Sequence, residues 1–139
     1  MGEYNRSAWT DSWVTFEGRH FAHFSNGDTY FVHSNRIGTT NLVTDWNTGT
    51  VVQDELHYPW GQVWTSAGSM VEERFASLQH RDAGSNFDPT EYRMFSSDVG
   101  RWTTPDPADQ YPATPTDPQT FNRYAYVLNN STNLSDPCG

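Results

Sequence analysis

The chain contains no lysine, a single isoleucine (Ile37) and a single cysteine (Cys138). The missing lysine leaves eight dispersed arginines as the only fixed cations, against 17 acidic residues. A net charge of −9 excludes the clustered basic surface that phosphate neutralisation on nucleic acid requires. One cysteine excludes an internal disulfide. Long apolar runs are absent, so no segment approaches the roughly 18 residues of a membrane-spanning helix. Met1-Gly2-Glu3-Tyr4 lacks the basic segment and apolar run of a signal peptide, and Arg6 stands where a myristoylation site needs Ser or Thr.

Aliphatic residues are also few. Val, Leu and Ile together number 15, whereas Phe, Tyr and Trp number 21 in 139 residues. Aromatics are large, partly polar and enriched in strands. Strong helix formers are sparse. A β-rich single domain with an aromatic core is the architecture these proportions favour, and a chain of this length can bury one core.

The punctuation agrees. Gly18, Gly27, Gly38, Gly49 and Gly61 lie 9, 11, 11 and 12 residues apart, the spacing of a meander of short strands. Asn26-Gly27-Asp28 and Asn47-Thr48-Gly49 are turn sequences, because Asn and Gly tolerate positive φ. The runs between turns predict strands over 12–17, 20–24, 29–33, 40–46, 50–58 and 62–65, with further extended pieces at 92–95 and 101–104. Met70–Leu78 fits either a ragged strand or a short helix. Residues 81–88 read as loop. Five of the eight prolines fall between Pro105 and Pro118, which predicts an irregular extended loop. Beyond it, Phe121, Tyr124, Val127 and Leu128 predict a short helix over Thr120–Leu128, with Asp117 or Thr120 as N-cap.

Candidate sites are few on these grounds alone. His20, His23 and His33 suggest a metal site, but residues three apart on a regular strand face opposite ways, so no metal or cofactor is expected. Ser, His and Asp are scattered with nothing to unite them as a triad. Trp9, Trp13, Trp46, Trp60 and Trp64 suit a carbohydrate platform or, more simply, sheet packing.

Three consecutive blocks carry a resemblance. The first runs from Tyr30 to Gly61 and contains Tyr30-Phe31-Val32-His33, the turn Ile37-Gly38-Thr39, Thr44-Asp45 and Tyr58-Pro59-Trp60-Gly61. The second contains Arg81-Asp82 and Arg93-Met94-Phe95-Ser96-Ser97-Asp98-Val99-Gly100-Arg101-Trp102, similar to an Arg-Tyr-Tyr-x-Pro-x-x-Gly-Arg-Phe run. The third contains Asp106-Pro107, then Asn122-Arg123-Tyr124-Ala125-Tyr126-Val127-Leu128-Asn129-Asn130, then Asp136-Pro137-Cys138-Gly139. In this order they resemble the C-terminal core of the Rhs/YD-repeat family, found in polymorphic toxins and in Tc-type toxin complexes. Residues 1–29 are only generically like a YD repeat.

The resemblance implies a curved antiparallel sheet of YD-repeat-like hairpins over 1–104, then a core or plug segment over 105–139, the two expected to form one folding unit. It implies a structural end-module of a toxin-encapsulating shell. Its partners would be the rest of that shell and any toxin segment that follows, with exposed strand edges open to self-association. It implies a bacterial protein secreted or displayed at the cell surface, although the chain carries no signal of its own. Relatives cut themselves once, as aspartyl proteases, beyond the last Asp-Pro-x-Gly. Carried over residue by residue, the candidate catalytic set is Asp106, Asp136 and Arg93, with Arg93 standing 13 residues before Asp106 and Asp136 standing 30 after it. The plain alternative is that Asp-Pro opens turns and Arg93 is a cross-strand partner. The sequence departs from the family where Ser131 replaces a proline and Ala108 follows Asp106-Pro107. No bond to be cut lies within these 139 residues, so a self-cleaving activity would need downstream sequence.

Overall fold

The computed structural model describes residues 2–5, 8–17, 19–68, 75–78, 81–82, 84–107, 114–136 and 138, with the backbone alone for 2–5 and 8–10. Part of Met70–Leu78, part of the proline-rich loop (including Pro112), the side chain of Trp9, and Pro137 and Gly139 therefore lie outside the described residues.

Seven strands form one antiparallel meander in sequence order: β1 (Gly2–Asn5), β2 (Ala8–Phe16), β3 (Arg19–Ser25), β4 (Asp28–Ser34), β5 (Thr40–Asp45), β6 (Val51–His57) and β7 (Val63–Gly68). A smaller sheet, ordered β10-β9-β8, joins β8 (Asp88–Pro89), β9 (Met94–Ser96) and β10 (Arg101–Trp102). The predicted strands thus form, and β1 and β8 are additions that the sequence reading missed. Both sheets are open.

The turn chemistry is as the residues dictate. Asn26 and Gly27, at φ of 52° and 97°, close β3 onto β4 as a two-residue hairpin. After β5, the Asp45 carboxylate accepts the Thr48 N–H and hydroxyl at 2.8 Å each. Those bonds favour its charged form and lower its pKa.

Every pairing in the large sheet except β3–β4 contains a register shift. A bulge bends its strand and increases the local twist, which is why the sheet curves. One bulge also revises an expectation. Val14 pairs with Ala22 and Thr15 with His20, so Phe21 is the extra residue. His20 and His23 then face the same way. Both meet Trp13, His23 stacked on it at 4.1 Å and His20 edge-on at 4.4 Å.

Packing is uneven. In the meander, Val32 and Val43 are buried with Trp13, Tyr30 and Val52 around them. A denser cluster joins Ile37, Phe75, Ala76, Leu78, Phe95, Trp102 and Tyr126. The turns at one end of the meander feed it. Asn35 Oδ1 holds the Ile37 and Thr39 N–H groups at 3.1 and 3.0 Å, and Thr39 Oγ1 accepts the Ala76 N–H. In Tyr58-Pro59-Trp60-Gly61, Gly61 lies flat on the Phe75 ring, where a Cβ would come within 2.5 Å. Arg81, in the stretch read as loop, makes a two-pronged ion pair with buried Asp88 at 2.9 and 2.8 Å and reaches Gly61 O at 3.3 Å.

The short helix expected over Thr120–Leu128 is replaced by two single 3₁₀ turns, Pro118–Phe121 and Val127–Asn129. Asp117 caps the first, accepting the Gln119 N–H at 3.1 Å. The intervening carbonyls are used elsewhere. Tyr124 O accepts from Trp102 N–H, and Arg123 O from Asp106 N–H. A segment docked beside β10 in this way cannot also close i→i−4 bonds. Tyr126 is buried there, whereas Phe121, Tyr124 and Leu128, whose spacing predicted the helix, are all exposed.

Candidate functional site

The site is assembled from the dense cluster outward. Phe95 and Trp102 are adjacent partners on β9 and β10. Tyr126 enters beside them, with ring centroids 4.7 Å from Phe95 and 5.5 Å from Trp102. These rings form an apolar floor, with Tyr126 fully buried and Trp102 nearly so.

Arg93, just before β9, lies over that floor. Its guanidinium carbon is 4.2 Å from the Trp102 ring centroid, within cation–π range. The side chain is 5% exposed. One terminal nitrogen, Nη2, lies 3.4 Å from Asp106 Oδ2 and 3.3 Å from Asp136 Oδ2. The other, Nη1, reaches Arg123 O at 3.5 Å. The three residues singled out in the sequence thus converge, although 43 positions separate the outermost two. Because both carboxylates contact one nitrogen, their oxygens are no farther apart than the sum of those two short distances. Each aspartate side chain is 37% exposed, so the acids form the open side and the arginine the closed side.

Backbone contacts fix each acid. Asp106 donates its N–H to Arg123 O at 2.9 Å, and the Arg123 guanidinium donates to Asp106 O. Asp136 returns because the chain reverses after Tyr126, through Val127, Leu128 and Asn129 at φ of 42°, 56° and 61°. Asn130 N–H then bonds Val127 O, and Leu134 N–H bonds Asn130 O. Arg36 ties this tail to the meander by donating to Asn133 Oδ1 at 2.7 Å. Finally the Asp136 N–H points at Tyr126 Oη, 3.4 Å away. Burial, helped by the nearby Asp136 and Asp88 charges and opposed by that N–H, pushes the Tyr126 phenol up to about 12.

Two neighbours of the triad, Trp102 and Tyr126, were not assigned a role from sequence. Both stood in quoted motifs, as the aromatic after Gly-Arg and the second tyrosine of Asn-x-Tyr-x-Tyr. The other candidates do not converge. His23 pairs with Asp11 and His33 with Thr44 Oγ1. Among the described residues no three His, Cys, Asp or Glu side chains gather as a metal site. Trp13 stacks within the meander, Trp60 lies against Gly100, and Trp46 meets Phe31 edge-on at 83°. Cys138 is exposed.

This geometry belongs to a β fold related to those of Tc toxin complexes and Rhs proteins. The chain is similar to the crystal structure of TcdB2-TccC3 without its hypervariable C-terminal region, at 25% identity and a TM-score of 0.74, over 97% of this chain and 7% of that one. It is likewise similar to TcdB2-TccC3-Cdc42, at 25% identity and a TM-score of 0.75, over 93% and 6%. A Photorhabdus luminescens Tc holotoxin pore matches at 24% identity and 0.73, over 96% and 7%. The chain thus spans less than a tenth of the length of these structures. No protein-family model and no curated protein matches it.

Proposed function

We propose that this chain is a structural end-module of a toxin-encapsulating shell, with 1–104 as a wall of hairpins and 105–139 as the segment that closes it. The observation that carries this reading is the likeness to TcdB2-TccC3 over 97% of the chain. The open meander supports it too. Phe16, Phe21, Trp46 and Trp64 are exposed on strands or beside them, as expected of repeats that bury their faces against neighbours. Replacing the matched stretch of a TcdB2-TccC3 assembly by this chain tests it. A closed particle by electron microscopy supports the module; an open or collapsed particle contradicts it.

A second reading is favoured by the convergence of Arg93, Asp106 and Asp136: an aspartyl self-protease that frees a downstream segment. One carboxylate takes a proton from water, whose oxygen attacks the scissile carbonyl carbon. The other acid protonates the leaving nitrogen as the C–N bond breaks, consuming one water. The peptide is held in cis, so no binding step is needed. Arg93 orients the acids through two charge-assisted contacts. The test is intact mass of a chain carrying a reporter domain after Gly139. Loss of the reporter from the parent and from neither Asp106→Asn nor Asp136→Asn supports self-cleavage; an uncut folded parent contradicts it.

A further inference from the structure

We propose that Tyr126 is a positioning residue for Asp136, its buried hydroxyl holding the Asp136 main chain so that the carboxylate meets Arg93. This rests on the self-cleavage reading above.

Asp136 belongs to a tail with little packing of its own, and residues 132–134 are exposed. A tail of that kind reaches a defined carboxylate position only if its backbone is tied near the acid. Asp136 is held at its side chain and at its main chain. The Arg93 contact is made by the side chain. The Tyr126 contact is made by the peptide N–H. The second has a rigid base, because the Tyr126 ring is locked among Phe75, Phe95 and Trp102 at centroid distances of 6.0, 4.7 and 5.5 Å. A hydroxyl on such a ring has no rotamer freedom beyond its own proton, so it defines a point in space to which the tail returns.

The chain reversal at Val127–Asn129 fits this role. Three consecutive non-glycine residues at positive φ are costly, most of all for β-branched Val127. The reversal directly follows the buried ring and turns the tail back over it. Without that reversal, Asp136 could not lie over a tyrosine only ten positions earlier. The phenol is also suited to a neutral role. It keeps its proton at any pH where a carboxylate pair works, so it anchors and does not act as a base.

The experiment is single-turnover cleavage, with amide hydrogen exchange of Asp136 measured alongside, in the chain carrying a reporter after Gly139, for the parent, Asp136→Asn, Tyr126→Phe and Tyr126→Leu. Tyr126→Phe keeps the ring and loses only the tie. The expected result is a rate roughly 2- to 13-fold below the parent, the scale of one neutral hydrogen bond. Exchange of the Asp136 amide should also quicken, because its acceptor is lost while the ring stays in place. The melting temperature should stay close to the parent's. Tyr126→Leu, which loses the ring as well, should fall further. Parental rate and parental exchange of the Asp136 amide in Tyr126→Phe, with Asp136→Asn inactive, would overturn the positioning role and leave self-cleavage standing. A rate loss matched by a fall in melting temperature, with exchange of the Asp136 amide unmoved, would also overturn it, since ring packing alone would then suffice. Cleavage that persists in Asp136→Asn, or an uncut parent, removes the self-cleavage reading and this role together.

Discussion

The meander and the region beyond it solve the same problem differently. The meander leaves Phe16, Phe21, Trp46 and Trp64 on open surfaces, and the apolar side chains buried among its described strand residues are small: Ala22, Val32 and Val43. The later region has only short strands, yet it gathers Phe75, Phe95, Trp102 and Tyr126 into one contact network. Strand pairing holds the first and side-chain packing holds the second. The difference explains where chemistry can be placed. A bulged, open sheet is suited to extension by neighbours. A packed aromatic floor is suited to holding an arginine and two acids in a fixed relation.

Core truncation should expose the contrast most strongly. Phe95→Ala removes a fully buried ring and should cost about 3–5 kcal/mol, read by chemical denaturation. Phe21→Ala and Trp46→Ala, at exposed positions of the meander, should change stability by about 0.5 kcal/mol or less. Similar losses at both kinds of site would erase the distinction. Breaking the ion pair between Arg81 and Asp88 is of the same size. Arg81→Ala leaves Asp88 buried without its two-pronged partner and should cost about 3–5 kcal/mol, whereas Arg101→Ala, on an exposed side chain, should cost little.

A third expectation concerns alkaline pH. Unfolded tyrosine ionises near 10, and buried Tyr126 holds its proton to about 12. The folded state therefore binds more protons between those values. Its stability is complete below pH 10 and declines as pH rises towards 12, by roughly 2–3 kcal/mol. Tyr126→Phe should abolish that decline in a pH-melting series. The smallest effect is expected at the chain reversal. Leu128→Gly relieves a left-handed residue whose side chain is half exposed, and should raise stability by a few tenths of a kcal/mol or leave it level. A clear loss would mean that Leu128 packing matters more than backbone strain.

Much of the meander was legible because turn residues and strands speak locally. Asn26-Gly27 and Tyr58-Pro59-Trp60-Gly61 carry their own conformational demands. What was not legible depended on distant partners. Phe21 as a bulge, which brings His20 and His23 to one face, follows from register with β2 and leaves no signature in β3 alone. Phe121, Tyr124, Val127 and Leu128 hold apolar spacing compatible with a helix, and the Trp102 and Asp106 N–H groups take the Tyr124 and Arg123 carbonyls instead. Arg93, Asp106 and Asp136 were nameable only through motif resemblance. Tyr126 was in the same motif, but its burial and its contact with Asp136 depend on a reversal at Val127–Asn129 that no propensity predicts.

The account turns on Asp136 being drawn back onto Arg93. Amide hydrogen exchange across 130–136, in the parent and in Asp136→Asn, tests this most directly. The account predicts protection in the parent well above that of exposed loops, and its loss in Asp136→Asn while peptides from β9 and β10 stay protected. A tail that exchanges freely in the parent, or that is unchanged by the substitution, would contradict it.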